Sequence, residues 1–228
     1  MVSRKCPYFY PMDYNKEQVE ALRRDYRQHQ LQESELLAHP VAQFKHWFEA
    51  ALAAQMPEPN AMTLATCNAA GRPSARIVLL KGYDEEGFVF YSNYESQKAR
   101  DLEENPQAAL VFCWLGLERQ VRINGRVEKL SAAASERYFH SRPKGSQIGA
   151  WASPQSTIIP DRSVLEDKVK ALRTEYEGQE QLPLPPYWGG YVLRPDELEF
   201  WQGRSSRLHD RLRYRREGEV WRVDRLAP

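Results

Sequence analysis

Long apolar runs are missing from this 228-residue sequence. No stretch approaches the ~20 residues of a membrane-spanning helix, and Met1 to Asp13 carries no apolar segment of the secretory kind. Cysteine is sparse: Cys6, Cys67 and Cys113 are odd in number, widely spaced and free of CxxC pairing, which fits free thiols in a reducing compartment better than a disulfide framework. A dominant charge is missing too. Lys and Arg number 32 against 31 Asp and Glu, a net charge of +1, so no global field recruits nucleic acid or an anionic membrane. Together these absences predict a cytoplasmic protein with no nucleic-acid or membrane partner.

Most motifs that announce a reaction are also lacking. There is no GxGxxG after a strand and no GxxxxGK[ST], against a Rossmann dinucleotide site or a P-loop. Neither HExxH nor paired Cys/His spacing occurs, against zinc. A GxSxG elbow is absent, since Gly145-Ser-Gln-Ile-Gly149 has its serine one place early. Hydrolase and metalloenzyme readings lose most of their support.

What is present is concentrated near the C-terminal end. Between Arg204 and Arg225 eight arginines meet four acids. If the chain after Gly203 is extended, Arg207, His209, Arg211 and Arg213 share one face, with Leu208, Asp210, Leu212 and Tyr214 on the other. Glu217-Gly218 then reads as a hairpin turn and Val220 to Leu226 as the return strand. Two readings fit: a grip for an anion such as phosphate, or a solvated basic hairpin.

Upstream, apolar spacing predicts helices over residues 16–30 and 41–56, after a flexible tail over 1–15. Strands are expected over 62–67, 75–83, 88–92, 108–115, 119–130, 188–193 and 198–201, with short connections that imply antiparallel hairpins. Helices are expected over 95–104, from Ser131 to His140, and over 161–178 with a Ser163-x-x-Glu166 capping box; 141–146 reads as a loop. The fold class is mainly β with flanking helices (α+β): an antiparallel sheet of roughly six to eight strands closed into a barrel, one domain over 16–228. Lys98 falls in the first turns of its helix, where unsatisfied N–H groups suit a phosphate; an ordinary surface lysine is the other reading. Arg76, Lys81, Lys98, Arg142, Ser146, Arg207 and Arg211 are more cationic and hydroxylated groups than one phosphate needs, which suggests two phosphorylated ligands. Trp201 could cover a flat ring.

Seven stretches in order carry a resemblance: Arg76-Ile-Val-Leu-Leu-Lys81, Tyr138-Phe-His-Ser-Arg-Pro143, Ser146-Gln-Ile-Gly-Ala150, Trp188-Gly-Gly190, Glu199-Phe-Trp-Gln-Gly203, Arg207-Leu-His-Asp-Arg211 and Arg225-Leu-Ala-Pro228. From about Arg23 to its last residue the sequence resembles the pyridoxamine/pyridoxine 5'-phosphate oxidase family. The resemblance implies an antiparallel FMN-binding split β-barrel and a homodimer with FMN at the subunit interface. It implies FMN contacts from Arg76, Ile77, Val78, Leu79, Leu80, Lys81, Tyr91, Ser92, Lys98, Gln120, Gln155, Ser156, Trp201 and Arg211. The substrate phosphate would fall to Lys81, Tyr138, Arg142 and Ser146. Arg207 and His209 would be catalytic, lying against the pyridine ring, and Arg23 and Tyr26 would form a lid. The implied reaction oxidises pyridoxamine or pyridoxine 5'-phosphate to pyridoxal 5'-phosphate, passing hydride from C4′ to flavin N5 and electrons to O2, with H2O2 as by-product. Gln97 departs from the pattern, standing where such sequences usually place a basic residue. Two other functions stay open: a split-barrel flavin enzyme with another substrate, such as a flavin reductase, and a carrier that only stores a phosphorylated ligand.

Overall fold

The computed structural model describes residues 16–22 and 24–228; the expected tail over 1–15 and the expected lid residue Arg23 lie outside them. The strands are β1 (Ala61–Cys67), β2 (Pro73–Leu79), β3 (Gly82–Asp84), β4 (Gly87–Asn93), β5 (Gln107–Trp114), β6 (Arg119–Lys129), β7 (Trp188–Gln202), β8 (Asp210–Glu217) and β9 (Val220–Arg225). The helices are α1 (Lys16–Ala21), α2 (Pro40–Ala53), α3 (Gln97–Glu104), α4 (Ala132–Ser141), α5 (Lys144–Ala152) and α6 (Ser163–Glu175).

All nine strands join one sheet in the path β2-β1-β5-β6-β7-β4-β3, with β8 added to β7 and β9 to β8, and every ladder is antiparallel. β2 and β3 stand at opposite ends of that path, yet only Leu80 and Lys81 separate them in the chain. The sheet must therefore roll until its ends meet, and the result is a barrel. Inside it Met62, Leu64, Phe88, Phe90, Leu110, Phe112, Val121, Ile123, Phe200 and Leu212 are buried, with Phe44 and Trp47 of α2 plugging one end. A second apolar cluster, around Phe139, Ile148, Leu172, Leu182 and Trp188, fastens α4, α5 and α6 to the outside.

Several elements differ from expectation for local reasons. The first helix ends at Ala21, short of residue 30: Val19 is 56% and Leu22 72% exposed, so these two stripe positions gain little from burial, and Tyr26 packs instead on Trp201 outside the helix. Residues 144–152 are helical despite two glycines, since Ile148 and Ala152 bury against Phe139 and Leu182 and buried Gln147 bridges the Arg142 carbonyl and the Leu182 N–H. The capping box at Ser163 does not form; Asp161 Oδ1 instead accepts from the Ser163 N–H at 2.7 Å. The two strands expected over 188–201 are one continuous β7, carried past Pro195 by a bulge in β7 itself, where Asp196 is left without a partner opposite the Asn124–Gly125 step of β6. The extended run expected from Gly203 begins only at Asp210. Ser205–Arg207 is a tight 3-10 turn with Ser206 and Arg207 at φ of 55° and 62°, so Arg207 does not share the alternation of Arg211 and Arg213.

Candidate active site

Register places the first group of side chains. β2 pairs with β1 so that Arg76 lies opposite Leu64 and Ser74 opposite Thr66, turning the Arg76 guanidinium toward the buried hydroxyl of Thr66. Its Nη1 donates to Thr66 Oγ1 at 2.7 Å, and Nη2 reaches Ser74 Oγ. Thr66 Oγ1 donates in turn to Asp101 Oδ2 at 2.7 Å, and Arg76 Nη2 lies 3.8 Å from the same oxygen. α3 carries Lys98 and Asp101, one helical turn apart, onto this wall. Lys98 is 8% exposed; its ammonium donates to Gln155 Oε1 at 2.8 Å and Ser96 Oγ at 3.2 Å, and forms no ion pair among the described residues. Burial, helped by the nearby Arg76 charge, pulls its pKa down to about 8.

A cleft of about 890 Å³ opens beside these groups, lined by the Arg76 wall, Lys81, Tyr91, Ser92, Gln97, Lys98, Gln155 and Ser156 together with Tyr138, Arg142, Ser146 and Trp188. Arg142 lies over the Trp188 ring at 4.6 Å, and Tyr91 stacks on Tyr138 at 3.8 Å. Burial lowers the Arg142 pKa, and its Nη1 is buried without a hydrogen-bond partner among the described residues. An unpaired buried donor on a cation is costly unless an anion completes it. The cleft thus holds Arg76 beside Lys98, and also Arg142 and the exposed Lys81, among aromatic rings. That donor set fits two phosphates and a flat ring system.

The remaining expected residues gather elsewhere. Gln120, Trp201 and Arg211 stand abreast on β6, β7 and β8. Beyond them a cleft of about 530 Å³ is lined by Arg24, Tyr26, Arg204, Ser206, Arg207 and His209, among others. His209 packs on Trp201 with ring centroids 4.6 Å apart, and Tyr26 meets Trp201 edge-on at 5.9 Å. His209 Nδ1 accepts the Arg204 N–H at 3.1 Å, so the neutral ring carries its proton on Nε2. Burial, then the Arg207 charge, lowers its pKa against the opposing pull of Asp210 and favours that neutral form. Arg211 is held bidentately by buried Glu199 at 2.8 and 3.0 Å. Leu80 is buried in the core rather than lining either cleft.

Within one chain, then, the expected site residues form two groups with no lining residue in common. Residues 48–176 match the family profile described as "Pyridoxamine 5'-phosphate oxidase", and residues 188–228 match "Pyridoxine 5'-phosphate oxidase C-terminal dimerisation region". The chain belongs to the pyridoxamine 5'-phosphate oxidase family. This family is one of oxidoreductases, and the stretch with Trp201, Arg207, His209 and Arg211 lies in its dimerisation region. A pyridoxine/pyridoxamine 5'-phosphate oxidase of Acaryochloris marina is 55% identical over 217 residues, 95% of this chain and 99% of that protein. One from Burkholderia multivorans is 59% identical over 210 residues, 91% of this chain and 97% of that protein. Among solved structures, PhzG from Burkholderia lata 383, in complex with tetrahydrophenazine-1-carboxylic acid, superposes with a TM-score of 0.81 at 32% identity, covering 86% of this chain and 95% of that one. An FMN-binding protein of Nostoc punctiforme (TM-score 0.66, 19% identity, 85% and 100% covered) shares the fold.

Sequence reasoning left out Thr66 and Asp101, whose links run between strands and helix, and used Trp188 only as a motif letter. A signal was available for one of them: Asp101 follows Lys98 at the spacing that puts both on one helix face.

Proposed function

We propose that this chain is an FMN-dependent oxidase that converts pyridoxamine 5'-phosphate and pyridoxine 5'-phosphate to pyridoxal 5'-phosphate, acting in the cytoplasm as a homodimer whose residues 16–228 form one FMN-binding unit. The observation that carries the reading is the pair of cations in one cleft which, among the described residues, lack a full set of partners: Lys98 is buried without an ion pair and Arg142 has an unmet buried donor. One phosphate suits each. Arg76, Ser92, Lys98, Gln155 and Ser156 would hold the FMN phosphate and ribityl end, with the backbone of Ile77 to Leu79 along its flat system. Lys81, Tyr138, Arg142 and Ser146 would hold the substrate phosphate. The match to a dimerisation region supports a partner that brings Gln120, Trp201, Arg211, Arg207 and His209 to the open side of this cleft.

The chemistry FMN supplies when bound is acceptance of a hydride from substrate C4′ at flavin N5 and delivery of the electrons to O2, which leaves as H2O2. The chain's own contribution is placement and charge. Anchoring a small flat substrate by its phosphate at one end and its ring at the other removes most of its rotational freedom. His209, neutral with an Nε2 proton, donates to a ring substituent, and exposed Arg207 supplies the cation that orients the substrate's reacting end. Tyr26, packed on Trp201 and Gly203, covers the site from the N-terminal side.

The PhzG likeness favours a second reading, a flavin enzyme for another planar anionic substrate, because a carboxylate would also satisfy Arg142. Steady-state assay of the FMN-loaded protein decides between them. Pyridoxal phosphate and peroxide formed in equal amounts from pyridoxamine 5'-phosphate support the oxidase, whereas bound FMN without turnover supports the second reading.

A further inference from the structure

Asp101 is an odd neighbour for a phosphate site: a carboxylate 2% exposed, on the same helix face as Lys98, in a wall otherwise built to attract anions. Burial alone would push its pKa up, but hydrogen bonds from Thr66 and Gln97 and the charge of Arg76 outweigh that and hold it ionised. Repulsion makes it unfit to touch a phosphate. Its contacts instead run outward to two cleft-lining groups. Oδ1 accepts from Gln97 Nε2 at 2.8 Å, while Oδ2 accepts the Thr66 hydroxyl, which in turn accepts Arg76 Nη1 at 2.7 Å.

The direction of these bonds matters. An ionised carboxylate can only accept, so the Thr66 proton must point at Asp101, leaving the hydroxyl lone pairs facing Arg76. Arg76 is then fixed through a relay of two hydrogen bonds, and Gln97 through one. Resting on the FMN reading above, we propose that Asp101 is a positioning residue for the FMN phosphate, orienting Arg76 through Thr66 and Gln97 directly, and thereby setting the preference for FMN over unphosphorylated riboflavin.

The test compares FMN and riboflavin affinities by quenching of flavin fluorescence in wild type, Asp101→Asn and Thr66→Val, with thermal melting as a check on folding. Asn can turn its NH2 toward Thr66 and break the relay; Val removes the hydroxyl and keeps the charge. Both variants are expected to lower the FMN-to-riboflavin affinity ratio by about tenfold or more, with riboflavin affinity unchanged. Equal weakening of both ligands would mean a merely structural carboxylate, and tighter FMN binding by Asp101→Asn would mean a simple counter-charge; either overturns the proposal. A wild type that binds riboflavin and FMN equally overturns it as well. Failure of wild type to bind FMN at all is a different result, which removes the FMN reading and the proposal with it.

Discussion

Lys98 and Arg142 answer the same problem, a cation held ready for an anion, in different ways. Arg142 cannot lose its proton, so its stacking on Trp188 shields the guanidinium face, and its Nη1 has no hydrogen-bond partner among the described residues. Lys98 can lose its proton. Its folded pKa of about 8 lies below the ordinary 10.5, so its contribution to stability is greatest above 10.5 and is lost as pH falls toward 8. A bound phosphate favours the charged form and reverses that loss. Where the FMN phosphate is fully ionised, its affinity is therefore expected to be level up to about pH 8 and to fall above it, by up to about tenfold per pH unit. Fluorescence titration across the neutral and alkaline range reads this directly, and Lys98→Met should bind weakly with a flat profile. An unchanged slope in that variant would assign the titration to another group.

At the scale of elements, the N-terminal segment after α1 is tied down by charge more than by apolar packing. Arg225 on β9 grips both carboxylate oxygens of Glu33 (2.6 and 2.9 Å), the Leu31 carbonyl (3.0 Å) and Asp210 Oδ1 (2.9 Å). Glu118 accepts the Gln28 N–H at 3.1 Å, and the Tyr214 hydroxyl donates to the Leu37 carbonyl. Arg225→Ala, or high salt, is expected to speed protease cleavage between residues 24 and 36 with little change in the melting of the barrel. Cleavage at the wild-type rate would show that Leu31 packing alone suffices. Here lies the boundary of what the sequence discloses. Strands with one buried face, such as β1 with Met62, Leu64 and Thr66 inward, were legible from alternation, as was the inward pairing of Leu212 with Tyr214 on β8. The left-handed turn at Arg207, the bulge that carries β7 past Pro195 and the helix over 144–152 were not, because each is decided by partners distant in the chain. The same applies within the site. Phosphate-binding residue types could be picked out, whereas the Thr66–Asp101 relay depends on a register and a helix packing that no local pattern encodes.

For the whole molecule, the proposed function makes assembly part of the chemistry, because Arg142 and Arg207 line different clefts of one chain. If the active site combines one protomer's large cleft with its partner's Arg207 and His209, Arg142→Gln and Arg207→Leu disable complementary halves. Each variant alone should be nearly inactive at low substrate. Mixed and allowed to exchange subunits, they should regain about a quarter of wild-type activity, since half the dimers are hybrids with one intact site of two. No recovery in verified hybrids would place both halves of the site in a single chain. The central claim, an oxidase whose cleft seats FMN beside a phosphorylated pyridine, is tested most directly by mixing the FMN-loaded protein with pyridoxamine 5'-phosphate in the absence of oxygen and following the oxidised flavin absorbance. The account predicts bleaching matched by pyridoxal phosphate formed, with colour restored by air. A flavin that stays yellow with this substrate and with pyridoxine 5'-phosphate would contradict it.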